Sequence, residues 1–343
     1  MKNPVKFSII LAAFNAEKTI TKAIESVTSQ LKDNYELIII DDASTDQTFT
    51  VVSNLAKHNE HIQLYKNNVN SGPSASRNFG LDLAKGNFIC FLDADDFYSE
   101  GLFEKLKYEI KHKNPDAIKF SIKEIYKNSV RELGQSYFFS NESAAIAERA
   151  INLEALPLFG YVTNCAYKAE VLNSKNIRFD NSLKFAEDFF FNYHLFRSLK
   201  SASFLDFYGY NYSKSCGLSL SEKRVPNYFD LYEYKINLLV KWAKEEDCFK
   251  KCQNTIAKLI LKTIYSTTVR NIRELNIRKA NIEIKKIILN SEIKTIFKDL
   301  TFNNKKLNLA KFPLSVGSPL LVIFLSSILL IIISIRPEIT KKI

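Results

Sequence analysis

Acidic residues recur where aliphatic runs end. Asp41-Asp42 follows Glu36–Ile40, and Asp93-Ala94-Asp95-Asp96 follows Asn87–Leu92. Short apolar runs of this kind suit buried strands of a parallel sheet. In open parallel sheets, ligands bind beyond the carboxyl ends of the strands. Carboxylates gathered there repel one another unless a cation joins them. Hard divalent ions such as Mg²⁺ or Mn²⁺ prefer oxygen ligands and keep phosphates in their shell. One carboxylate, the oxygens of a nucleoside diphosphate and water complete such a shell, and the ion then neutralises a departing diphosphate. A lone aspartate at a strand end would read as a cap for a helix or turn. Two clusters on two strands of one sheet favour the ion.

A second acidic pair, Glu187-Asp188, sits in Phe185-Ala186-Glu187-Asp188-Phe189-Phe190-Phe191. A carboxyl among aromatics and beside another carboxyl has its pKa pushed upward, which suits a general base. The plain alternative is an exposed acidic pair at a helix start, favoured by the helix dipole.

The elements that must position these residues alternate. Val5–Ala12 reads as a strand, and Asn15 as a cap for a helix with Ile20, Ile24, Val27 and Leu31 on one face. After the Glu36–Ile40 strand comes a helix through Val51 and Leu55, then a strand Ile62–Tyr65. A polar loop from Asn67 to Pro73 opens a helix with Ala75, Phe79 and Leu83 that stops at Lys85-Gly86. Such repeats imply a mostly parallel sheet flanked by helices. The middle of the chain suggests a strand Ala117–Ile122, helices over 141–156 and 186–200, and a strand Phe204–Tyr212. Beyond residue 223 the spacing predicts basic helices over 226–247, 250–275 and 279–299.

The motifs Ser8–Asn15, Glu36–Asp46, Asn70-Ser71-Gly72 with Ser76-Arg77-Asn78-Phe79-Gly80, and Phe91–Asp96 resemble, in order and spacing, family 2 glycosyltransferases of the GT-A (Rossmann-like) fold that build bacterial cell-surface polysaccharides. The resemblance is strong to about residue 110 and looser to about residue 215. It implies roles by position. Ala12 and Phe14 border the nucleobase, Asp42 accepts the ring N–H of uracil, and Arg77 lies near the nucleotide. Asp93 lies toward the ribose or sugar, Asp95 binds the metal, and Asp96 orients its neighbours. Glu187-Asp188 matches the family's Glu-Asp pair, with Asp188 as the base and Glu187 holding it or a metal-bound water. The resemblance also implies a cytoplasmic catalytic domain at a bacterial inner or plasma membrane and a glycan or lipid-linked acceptor, and it leaves a homo-oligomer open.

Net charge first suggests nucleic acid or a membrane. Of the +11, residues 1–222 carry 25 Lys and Arg against 27 Asp and Glu, and residues 223–343 carry 23 against 10. A nucleic-acid groove would need its positive charge in the main domain, which is slightly acidic. The basic helices, with Tyr228, Phe229, Tyr232, Tyr234 and Trp242, lead toward a stretch from Phe312 to Ile335 that carries no charge and is flanked by Lys311 and Arg336. That pattern predicts a transmembrane or membrane-inserted helix over 312–336. Gly317 and Pro319 leave a re-entrant form open. The organisation expected is a catalytic domain 1–222, with halves 1–105 and 106–222, a basic helical region 223–311, and the membrane helix.

Other features carry less. The five cysteines lack metal-ligand spacing and read as reduced thiols. His58 and His61 read as a solvated helix end, and His194 need not face Asp188. Aromatics from Tyr208 to Ser219 suit either sugar stacking or strand packing. The reading is an inverting, metal-dependent glycosyltransferase using a UDP-sugar. A nucleotidyltransferase would need a Gly-rich basic loop after the first strand, where Ala12–Glu17 has none. A silent scaffold of the same fold would have no use for the retained aspartates.

Overall fold

The computed structural model describes residues 6–183, 185–214, 228–273, 276–297 and 300–335. The chain divides into two compact units after Arg224.

The first unit opens with β1 (Phe7–Ala13), α1 (Ile20–Thr28), β2 (Tyr35–Asp41), α2 (Thr48–Ala56), β3 (Ile62–Lys66), α3 (Gly72–Leu83) and β4 (Phe88–Asp93). These strands pair in parallel in the order β3-β2-β1-β4. Ile9, Ile10, Leu11, Leu37, Ile38, Ile39 and Ile40 are all buried, because helices cover both faces and no alternation is needed. Helix α3 crosses close over β1: a Cβ added at Gly80 would run into the Ile10 side chain.

Next come β5 (Phe97–Tyr98), α4 (Leu102–Lys113), β6 (Ala117–Tyr126), β7 (Ser129–Leu133), β8 (Phe138–Ser140), α5 (Ser143–Leu153), β9 (Cys165–Lys168), α6 (Ala169–Ser174), α7 (Glu187–Phe196) and β10 (Ala202–Ser213). The sheet continues from β4 through β9, β6 and β10 to β5, with β7 on β6 and β8 on β10. Here the expectation of a mostly parallel sheet is corrected. Strand β9 runs antiparallel to both β4 and β6, and β5, β7 and β8 add antiparallel pairs. The sheet is mixed because short connections such as the one between β6 and β7 can only return the chain antiparallel.

The β1 strand lies between β2 and β4, so their carboxyl ends meet: Ala13 pairs with Asp41 and Ala12 with Asp93. Asn15 is not a helix cap. It sits at φ 51 and its Oδ1 accepts the Thr45 N–H at 2.9 Å, tying the loop after β1 to the loop after β2, while Thr19 precedes α1.

The second unit is helical: α8 (Tyr228–Glu245), α9 (Phe249–Arg273), α10 (Ile277–Leu289), α11 (Ser291–Phe297), α12 (Lys305–Ser315) and α13 (Pro319–Ile335). The helix expected over 279–299 breaks at Asn290, whose Oδ1 accepts the Ile293 N–H. Phe229 and Trp242 are buried in this unit's core rather than presented outward. Cys90, Cys165, Cys248 and Cys252 are buried free thiols.

The segment expected as one membrane helix is two. Helix α12 ends before Gly317, which adopts φ +66, and α13 begins at Pro319. At 17 residues, α13 spans about 25 Å, short of the ~30 Å hydrocarbon core. Among the described residues no helix is long and apolar enough to cross a membrane. One side of α13 packs on α9 and α10, burying Val322 and Ser326 completely.

Candidate active site

Asp93 closes β4, and Asp188 stands in the first turn of α7. One guanidinium joins them. Arg77 of α3 donates from Nη2 to Asp93 Oδ1 at 2.7 Å and from Nη1 to Asp188 Oδ1 at 2.8 Å. Arg77 is only 5% exposed and lies over the Phe179 ring. Burial works against its charge, but Asp188, Asp93 and Glu187 outweigh that and raise its pKa, so it stays cationic. The Asp188 carboxyl is pushed up to about 7. Burial is the main cause, Glu187 and Asp93 add to it, and Arg77 and the Val162 N–H pull the other way.

Aromatic packing holds α7 in place. Phe191 stacks on Phe179 with centroids 4.3 Å apart and meets Phe91 of β4 edge-on at 5.7 Å. The aromatics beside Glu187-Asp188 therefore anchor the helix on the sheet and also dry the carboxyl. Asn78, next to Arg77, accepts the Phe179 N–H at 2.8 Å and donates to the Phe179 carbonyl at 2.9 Å, fixing the segment that leads to α7.

At the start of α3, Asp42 is already engaged. Its Oδ1 accepts from Asn67 Nδ2 at 2.7 Å and Ser71 N at 3.0 Å, and its Oδ2 accepts from Gly72 N at 2.8 Å. A carboxylate offers about four acceptor positions, so about one remains. Gly72 adopts φ +84, which a glycine tolerates without strain. Ala12 is partly exposed at the end of β1, and Phe14, just beyond it, is 49% exposed.

The other aspartates differ from one another. Asp96 is buried; its Oδ2 accepts from Tyr210 Oη at 2.6 Å and its Oδ1 from Ser213 N at 2.7 Å, tying β10 to the end of β4. Burial, Asp93 and Asp95 raise its pKa well above the usual carboxylate range. Asp95 is exposed as a residue, yet partial desolvation of its carboxyl by the surrounding protein, and then the Asp93 charge, raise its pKa. Among the described residues no group of three or more His, Cys, Asp or Glu converges as a metal cage. The donor set nonetheless fits a hard divalent ion held by one carboxylate and completed by phosphate oxygens: Asp95 is exposed as a residue, and the desolvation and nearby Asp93 charge that lift its pKa are both offset by a cation.

Sequence reasoning did not single out Lys119. Its Nζ is fully buried and donates to Asn164 Oδ1 at 2.7 Å and to the Tyr161 and Phe159 carbonyls at 2.9 and 3.5 Å. Burial lowers its pKa to about 8. Asn192 of α7 donates to the Phe159 and Tyr161 carbonyls at 2.7 and 2.9 Å, and Tyr167 Oη donates to Asn192 Oδ1 at 2.7 Å. Together they hold the loop whose Val162 N–H donates to Asp188 Oδ2 at 3.4 Å. A charged residue inside the aliphatic run Ala117–Ile122 was the one hint. His194 is exposed on α7, and His61 packs on the Tyr35 ring. Of the Tyr208–Ser219 aromatics, Tyr210 is core and Tyr212 meets Tyr161 edge-on; residues 215–219 lie outside the described residues.

Residues 8–174 match the model of glycosyl transferase family 2. The uncharacterised glycosyltransferase EpsJ of Bacillus subtilis is 28% identical over 204 residues, 58% of each chain. The Escherichia coli UDP-Glc:alpha-D-GlcNAc-diphosphoundecaprenol beta-1,3-glucosyltransferase WfaP is 37% identical over 119 residues, covering 35% of this chain and 45% of WfaP. The chain thus spans less than two thirds of the length of these relatives. The crystal structure of S. aureus TarS residues 1–349 with UDP-GlcNAc superposes with a TM-score of 0.70 at 20% identity, covering 94% of this chain and 90% of that one. That likeness fixes the fold.

Proposed function

The chain belongs, through residues 8–174, to glycosyl transferase family 2, and on that premise we propose that it is an inverting glycosyltransferase that moves a sugar from a UDP-sugar to a lipid-linked or cell-surface glycan. The observation that carries this reading is Arg77, which brings the carboxylate at the end of β4 and a carboxyl of near-neutral pKa into one place.

The two carboxylates divide the work. Asp93 and the ends of β1 and β2, with Ala12, Phe14 and Asp42, form the donor side; Asp42 keeps about one acceptor position for the uracil N–H. Asp188 serves the acceptor side. It takes the proton of the acceptor hydroxyl while that oxygen bonds to the anomeric carbon. The bond from that carbon to the diphosphate breaks, and its electron pair leaves with the nucleoside diphosphate. Attack opposite the leaving group inverts the centre. A pKa of about 7 leaves Asp188 substantially ionised at neutral pH yet basic enough to accept the proton. Glu187, beside it on the first turn, helps hold that carboxyl up in pKa. Asp95 would hold Mg²⁺ or Mn²⁺, which when bound offsets charge on the diphosphate. The UDP-GlcNAc ligand of the TarS structure and the UDP-glucose donor in the name of WfaP support the donor class, and the diphosphoundecaprenol in that name supports a lipid-linked acceptor.

The test is Asp188→Asn. It should keep UDP binding within a few-fold and lower transfer by roughly 10²–10⁴. Transfer near the parent rate would place the base elsewhere.

A further inference from the structure

Helix α12 presents Leu309 and Phe312 to solvent, the turn after it Val316, and α13 Leu320, Phe324 and Ile328 at four-residue spacing. On α13 the exposed positions fall on one side, opposite buried Val322 and Ser326. A helix packed on a soluble bundle ordinarily carries polar residues on its outer face. Here Leu320 and Phe324 are 72% and 60% exposed, as Leu309 is at 60%. Scattered apolar residues need no explanation, but a helix side lined with them, as on α13, marks an interaction surface.

Charge identifies the partner. From Leu300 to Ile335 the chain has three lysines and no Asp or Glu. Lys305 and Lys306 are exposed at the start of the stripe. On α10, which packs on α13, Arg278, Lys285 and Lys286 are exposed among exposed Ile282 and Leu289. A second copy docking on this face would bring lysine against lysine. An anionic lipid surface would meet the lysines with phosphate and the stripe with acyl chains.

We propose that the α12–α13 face is an in-plane docking surface for anionic phospholipid. At about 25 Å, α13 falls short of the ~30 Å hydrocarbon core, and its other side is packed on α9 and α10, so the proposed contact is in-plane. Docking of this kind holds an enzyme next to substrates anchored in the same surface. It is independent of the sugar-transfer reading, since it is measured without turnover.

The experiment is flotation of the full chain with vesicles of phosphatidylcholine alone and with phosphatidylglycerol added. The parent should float with the anionic vesicles, less so as salt is raised, and weakly or not at all with the neutral ones. The double variant Leu320→Asp/Phe324→Asp should partition about tenfold or more weakly. Lys305→Glu/Lys306→Glu should lower binding to anionic vesicles alone. All four positions are exposed, so an unchanged thermal midpoint checks the fold. Equal flotation of parent and double variant would overturn the proposal. So would absence of flotation together with a dimer that Leu320→Asp/Phe324→Asp dissolves, which would make the face a self-association surface.

Discussion

Arg77 reaches carboxylates 16 and 111 positions away in the chain, so its role exists only in the folded protein. Arg77→Ala leaves Asp93 and Asp188 facing one another without a cation. Breaking a fully buried pair costs about 3–5 kcal/mol; with Asp93 and Asp188 35% and 20% exposed, the cost here is lower. It also removes the charge that holds the Asp188 pKa down, so the acid limb of kcat/KM, expected near pH 7 in the parent, should move upward. Arg77→Lys should rescue only in part, since an ammonium lacks the planar guanidinium whose two Nη atoms meet the two carboxylates in fixed geometry. A limb that stays put in Arg77→Ala would separate Arg77 from the titrating group. The sign for stability follows from the same shift. Between about pH 4 and pH 7 the folded state keeps a proton on Asp188 that the unfolded chain has lost, so this site's contribution falls as pH rises. Lys119 has the opposite sense. Its pKa, lowered to about 8, means that the unfolded chain binds more protons from about pH 8 to pH 10, and the contribution rises there. Lys119→Met should flatten that rise and cost about 2–3 kcal/mol by orphaning carbonyl and amide oxygens. It should change kcat more than donor KM, because the loop it holds donates to Asp188, the proposed base. An unchanged kcat with lowered stability would make Lys119 purely structural.

At the scale of elements, α3 is the hub. Its first residues donate to Asp42, its middle carries Arg77 and Asn78, and Asp82 near its end pairs with Arg178 at 3.0 Å. The position of α3 depends on the close approach at Gly80. Gly80→Val should push α3 away from Ile10, costing about 1–3 kcal/mol, and should weaken UDP binding and transfer together. Calorimetry and titration on one sample check this; a stable variant with parent affinity would show that the hub tolerates the shift. The Ser76–Gly80 motif is legible in the sequence because its residue types are constrained by this crossing. The antiparallel β9 is not, since four residues, Cys165–Lys168, carry no period of their own and are specified by their neighbours. Helix starts are ambiguous for a similar reason. Asn15 suits a cap by type, but a bond to Thr45 from the neighbouring loop outcompetes that use.

For the whole molecule, the site belongs to the first unit and the excess positive charge to the second. Ligand linkage reports on the first. UDP with Mn²⁺ at a hundred times its Kd should add about 2.7 kcal/mol to that unit's stability, and a chelator should remove most of the gain. Asp95→Asn should make the gain insensitive to the chelator; a chelator effect that persists in Asp95→Asn would assign the ion to other ligands.

The sequence by itself determined the order of strands and helices up to Asp93, the resemblance to family 2 glycosyltransferases, and the identity of the acidic residues at the strand ends, because each of these is written in short-range spacing and residue type. It also marked 312–335 as apolar. Only the tertiary structure decided that Arg77 joins Asp93 to Asp188, that Asp42 is largely spent on the start of α3, that Lys119 lies buried beneath the loop beside Asp188, and that the apolar tail splits and lies packed along one side. These are contacts between residues far apart in the chain. Burial and partner charge set them, and neither is a property of any short stretch of sequence.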